Sequence, residues 1–185
     1  MLEQSDNTSA YRKVFSDYQQ GFLQAIQLFR HPADLKLSPV LSDESILKLK
    51  DILAKTAKRQ SVSVALVGQS AHNQALLINH IAHALKQTIA VVDCLLLTSK
   101  YIGETEKNLA HILAEAESQN LVLLFDEADA LFGKRTEVSG ANDKYANQEV
   151  SYIFKLLGQS SGLSLLSVHN TPRLSLLKTR VNYVL

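Results

Sequence analysis

Two kinds of apolar pattern alternate along the chain. Short unbroken runs fall at 62–67, 88–93, 121–125, 163–168 and 181–185. Runs of that length, with few polar breaks, are what strands buried on both faces look like, as in a parallel sheet. Between them the apolar residues recur three and four apart. Leu77, Ile78, Ile81, Ala82 and Leu85 share one face of a helix predicted over 75–85. Leu109, Ile112, Leu113 and Ala116 do the same over 104–118, and Val150, Ile153, Phe154 and Leu157 over 143–158. A short helical turn is expected over 173–177. Strands alternating with helices of this length predict βαβ units. The fold class expected is α/β, a three-layer αβα sandwich around a five-stranded parallel sheet.

The first third of the chain reads differently. Val14, Phe15, Tyr18, Phe22, Ile26 and Phe29 recur at helical spacing, which predicts a helix over 10–30, stopped by His31-Pro32. Residues 32–39 form a connector. Ser42, with Glu44 and Ser45 behind it, offers a cap for a second helix running to about Lys58, with Ile46, Leu49, Ile52 and Leu53 on one face. These N-terminal helices suggest an extension and linker over 1–60 and a core over 61–185.

Composition narrows the function classes. With 46% hydrophobic and 20% charged residues in 185, the chain can bury one proper core. A formal net charge of +1 gives no global basic field for nucleic acid. A single cysteine, Cys94, rules out an internal disulfide framework and suits a reducing compartment. The N-terminus is polar and acidic, unlike a signal peptide, and no apolar run reaches the ~18 residues of a membrane span. A cytoplasmic protein is expected. His72, His80 and His83 are read as helix-surface residues, since a metal site needs more ligands in a defined geometry.

Candidate chemistry sits at the strand ends. The run Leu121 to Phe125 ends abruptly in Asp126-Glu127, where open α/β sheets place their ligand chemistry. The plain alternative is a strand end meeting water, or a helix start accepting acids. After the first core strand comes Gly68-Gln69-Ser70-Ala71-His72-Asn73-Gln74-Ala75, the expected place for a phosphate loop. Against the pattern G-x-x-x-x-G-K-[ST] it keeps Gly68. Asn73 replaces the second glycine, Gln74 the lysine and Ala75 the hydroxyl residue.

Two longer motifs carry a resemblance. Ser99-Lys100-Tyr101-Ile102-Gly103-Glu104-Thr105-Glu106-Lys107-Asn108-Leu109 and Phe125-Asp126-Glu127-Ala128-Asp129-Ala130-Leu131-Phe132-Gly133-Lys134-Arg135 stand in order on the expected elements. With the helix around Lys144 to Tyr152, they make the chain from Val62 to Val184 resemble the core of AAA-type ATPases, bacterial ones of the classical branch above all. That resemblance implies a P-loop NTPase-like fold with ATP and Mg²⁺ as cofactors. Asp126 would hold Mg²⁺ through water, and Glu127 would act as general base on the attacking water. Asn170 matches the sensor position that orients that water. Arg180 matches one of two arginines reaching a neighbouring subunit's nucleotide, with Thr179 in the other's place. Gly68, Asn73, Gln74 and Ala75 occupy the phosphate-loop positions. Tyr101 and Ile102 look like the pore loop that grips a polypeptide in a ring of AAA subunits.

The departures point the other way. A lost phosphate-loop lysine removes a charge-assisted contact worth ~1.5–3 kcal/mol in binding. It costs the transition state more, since charge stabilisation dominates phosphoryl transfer. Gln74 donates hydrogen bonds but neutralises nothing, and Ala75 cannot ligate Mg²⁺. The chain ends at Leu185, so the family's helical lid is expected to be absent. The reading favoured is a degenerate pseudo-ATPase with weak or no ATP–Mg²⁺ binding, a scaffold or regulatory subunit in a homo- or hetero-oligomer of AAA subunits. The alternative is an active AAA chaperone or remodelling motor. Neither nucleic acid nor membrane is expected as partner.

Overall fold

The computed structural model describes residues 26–29, 39–98, 103–132, 142–169 and 174–185, with the backbone alone for 26–29, 142–149 and 174–176. Six strands form one sheet: β1 (Ile26–Phe29), β2 (Ser61–Val67), β3 (Ile89–Asp93), β4 (Val122–Asp126), β5 (Gly162–Val168) and β6 (Tyr183–Val184). Their order across the sheet is β1-β3-β4-β5-β2-β6. Every neighbouring pair from β3 to β6 is parallel. The helices described are α1 (Asp43–Ala57), α2 (Ala71–Leu85), α3 (Cys94–Leu97), α4 (Glu104–Gln119), α5 (Asp129–Phe132), α6 (Asn142–Gln159) and α7 (Leu174–Arg180). The α/β class and the five parallel strands agree with the sequence pattern.

Burial explains the alternation. Residues 62–66, 122–125 and 163–168 are buried without a break, because each strand faces a core on both sides. On one side Val62, Val64, Leu66, Val122, Leu124, Leu163 and Leu165 pack against Leu49 and Ile52 of α1 and Leu77, Ile78 and Ile81 of α2. On the other, Leu123, Phe125, Leu166 and Val168 meet Leu109, Ile112 and Leu113 of α4, Ile153, Phe154 and Leu157 of α6, and Leu177 of α7. This gives the three layers.

One N-terminal expectation is corrected. The helical pattern over 10–30 ends not in a helix but in β1, which pairs antiparallel with β3, Ile26 opposite Val92 and Phe29 opposite Ile89. An uncovered β3 edge carries a row of unpaired N–H and C=O groups, and a short strand satisfies them where a helix cannot. Residues 10–25 lie outside the described residues. The second N-terminal helix is as predicted. Ser42 Oγ accepts from the Ser45 N–H at 3.2 Å, with Asp43 and Glu44 in the first turn.

The larger surprise is where α2 begins. The pattern predicts 75–85, with an open loop before it, yet the helix starts at Ala71 with Ser70 as its N-cap. The one-turn helices α3 and α5, directly after β3 and β4, were also not foreseen. No described helix is long and apolar enough to cross a membrane.

Candidate functional site

The carboxyl ends of the parallel strands share one rim. β2 exits at Gly68, β3 ends at Asp93, β4 at Asp126, and His169 follows β5. The register sets Asp93 beside Asp126 and Val67 beside Val168. β2 and β5 are neighbours, but β2 leads into α2 on one face while α7, after β5, packs Leu177 into the core of the opposite face. A strand pair whose connections part to opposite faces opens the crevice in which open α/β sheets bind ligands.

Asp126 and Glu127 stand on this rim, both exposed. The Glu127 N–H donates to Asp126 Oδ1 at 3.1 Å. Glu127 has φ +52°, the left-handed region that L-residues enter at a cost. That turn is fixed from behind by the Ala128 N–H donating to the Ser167 carbonyl at 2.9 Å. It aims the Glu127 carboxylate at the imidazole of His169, Oε1 to Nε2 3.7 Å. His169 is itself anchored, its backbone N–H donating to Asp129 Oδ2 at 2.8 Å. His169 and Asp129 were not singled out from the sequence, although a histidine at a strand exit beside Asn170 was a usable signal.

Cys94, the first residue of α3, lies near these acids and is fully buried. Burial, and then the carboxylates of Asp93, Asp126 and Glu127, push its thiol well above the usual range. It is a packed core residue without nucleophilic character.

The stretch after β2 departs from an open loop. Gly68 turns the chain at φ +67°, a conformation glycine adopts freely. Helix α2 then begins three residues on. Ser70 Oγ accepts from the Asn73 N–H at 3.2 Å, and the Ser70 carbonyl accepts from the Gln74 N–H at 2.9 Å. Two backbone donors at the helix start are therefore engaged within the helix itself. The Asn73 side chain turns back to the connector, where Oδ1 accepts from the Val40 N–H at 2.7 Å and Nδ2 donates to the Val40 carbonyl at 3.1 Å. Gln74 is 8% exposed, and Ala75 is half-buried. A phosphate cradle needs free N–H groups, a cation and a hydroxyl; this stretch offers engaged N–H groups, a buried amide and a methyl group.

Arg180 closes α7 and is exposed, with no ion pair to any described residue. Asn170, Tyr101, Ile102 and residues 133–141, including Lys134 and Arg135 and read from the sequence as a loop, lie outside the described residues. Among the described residues no cluster of His, Cys, Asp or Glu is arranged to hold a metal ion by itself.

The sequence model of the ATPase family associated with various cellular activities (AAA) matches residues 64–180, well over half of the chain. The chain belongs to the AAA family. Members normally bind ATP with Mg²⁺ and usually form oligomers. Similar AAA proteins include the peroxisomal ATPase PEX6 of Arabidopsis thaliana, 29% identical over 145 residues, covering 76% of this chain and 15% of the relative. Spastin of Danio rerio is 26% identical over 153 residues, covering 70% of this chain and 26% of spastin. The chain thus spans about a quarter or less of the length of these two AAA relatives. A chain of the solved E. coli MS115-1 HORMA:CdnC:Trip13 complex shares the fold. Its TM-score is 0.56 at 16% identity, covering 86% of this chain and 67% of that one.

Proposed function

We propose that this AAA core is a pseudo-ATPase that binds ATP–Mg²⁺ weakly or not at all. It acts as a scaffold or regulatory subunit beside AAA subunits that do hydrolyse ATP. In this reading 61–185 is the AAA core and 1–60 its N-terminal extension. The observation that supports it best is the start of α2 at Ala71, inside the stretch where a phosphate loop would lie. A bound phosphate needs the backbone donors that Ser70 already takes. Gln74 adds no charge in place of a lysine, and Ala75 has no oxygen for a cation. The fully buried Cys94 suits a reducing compartment such as the cytoplasm.

The acidic rim favours the second reading, an active AAA motor. Asp126 and Glu127 are exposed on the carboxyl-end rim of the sheet, at the end of β4, where a water-held Mg²⁺ and a general base would stand. Asn170 and Arg180 would complete that machinery, and Tyr101 and Ile102 would contact a polypeptide. Calorimetric titration with ATP–Mg²⁺ and a phosphate-release assay separate the two. We expect weak or absent binding heat and no turnover above background. Phosphate release that disappears in Glu127→Gln would overturn the pseudo-ATPase reading. Light scattering reports whether the chain joins copies of itself, as a homo-oligomer requires.

A further inference from the structure

The contact between Asn73 and Val40, 33 positions apart, ties the stretch just before α1 to the start of α2. It is bidentate: one side-chain amide takes both the N–H and the carbonyl of one backbone unit, as a neighbouring strand would. The Val40 side chain is 83% exposed, and its backbone is otherwise held only through its neighbours, Leu41, which packs against the core, and Ser42, which caps α1. The Asn73 N–H is meanwhile capped by Ser70, and its Nδ2 also donates to Gln69 Oε1. Connector, turn and helix start thus meet at one side chain. A glycine at 73 has no atoms with which to make this tie.

We propose that Asn73 is a latch that fixes the N-terminal connector to the former phosphate loop. The stretch leading into α1 is then held at a set position on the start of α2. The first turn of α2 cannot reshape around a ligand without releasing Val40, so ligand entry and connector release are linked. The latch requires no nucleotide, and it goes beyond the pseudo-ATPase reading by giving the altered loop a structural task of its own.

Amide hydrogen exchange on the intact chain tests it. With the acceptor removed in Asn73→Ala, the Val40 amide exchanges roughly five- to tenfold faster, the loss of one hydrogen bond's protection. The Leu66 and Leu124 amides in the core keep the parent's rates. Asn73→Asp retains the acceptor for the Val40 N–H but loses the donor to the Val40 carbonyl, so Val40 exchanges at a rate between those of the parent and Asn73→Ala. An unchanged Val40 rate in Asn73→Ala with an intact core overturns the latch. If Asn73→Ala loosens the core as well, Asn73→Asp decides over a protected core: a Val40 that exchanges faster than in the parent upholds the latch, and an unchanged Val40 rate refutes it. Neither result depends on ATP binding, so the pseudo-ATPase reading and the latch stand or fall separately.

Discussion

The carboxylate of Glu127 and the imidazole of His169 face each other at 3.7 Å across the ends of β4 and β5. Both side chains are about half exposed, 47% and 50%, so water screens the pair. Its worth to stability is under ~1 kcal/mol. The left-handed turn at 127 and the Asp129 bond to the His169 backbone set the two residues side by side, and the same imidazole Nε2 lies 3.4 Å from Ser167 Oγ.

Strain at Glu127 makes the first prediction. Replacement by glycine relieves the left-handed conformation, a gain of ~1 kcal/mol, offset by a more flexible unfolded chain. Glu127→Gly should therefore change stability by less than about 1 kcal/mol in urea unfolding, with the sign toward stabilisation. A loss larger than that would mean that the carboxylate contacts outweigh the strain.

The phosphate-loop chemistry gives the second. Asn73→Gly, Gln74→Lys and Ala75→Thr together restore the pattern and remove the tie to Val40. Calorimetry should then detect ATP–Mg²⁺ binding roughly 10- to 150-fold tighter than the parent's, as one charge-assisted lysine contact supplies. A silent titration would place the block in the Ser70-capped helix start rather than in the lost side chains.

A third concerns the far edge of the sheet. Tyr183 of β6 donates to Asp51, and Lys55 donates to Tyr183 and lies 3.0 Å from Asp51. The Tyr183 hydrogen bond, and then Lys55, hold the Asp51 carboxyl below its usual 3.8. A depressed carboxyl stabilises the fold above its unfolded pKa, and that contribution is lost as pH falls through the folded value. The melting temperature of the parent should exceed that of Asp51→Asn at neutral pH, and the gap should close as the pH drops below about 4. Added salt should narrow it too, because the groups are exposed. A gap that widens in acid would contradict the assignment.

Cys94 supplies the fourth. Buried and pushed toward the thiol form, it should resist a disulfide reagent at neutral pH in the native state and react fully in denaturant. Rapid labelling without unfolding would show that the rim above it opens readily.

Much was legible before any coordinates. The runs that became β2 to β5 are continuous apolar stretches because two cores flank them, and the faces of α1, α4 and α6 followed from three-four spacing. Ser42 announced its cap by residue type alone. The pairing of Asp126 with Glu127 at a strand exit, and the motifs around them, identified the family by sequence.

Other features depended on what lay across space. Ile26–Phe29 fits a helical repeat locally, but the unpaired edge of β3 made it a strand, and an edge is visible only once the sheet exists. The residues at 71–74 resemble a loop by position in a motif. Ser70 as a cap and Val40 as a distant partner made them a helix start, and the Asn73–Val40 bonds join residues 33 positions apart. His169 reached Glu127 because β4 and β5 are neighbours, an order no local pattern encodes. Local periodicity and residue chemistry thus determined the elements and the family. Hydrogen-bond satisfaction between elements far apart in the chain decided the edge strand, the closed loop and the meeting of acid and imidazole.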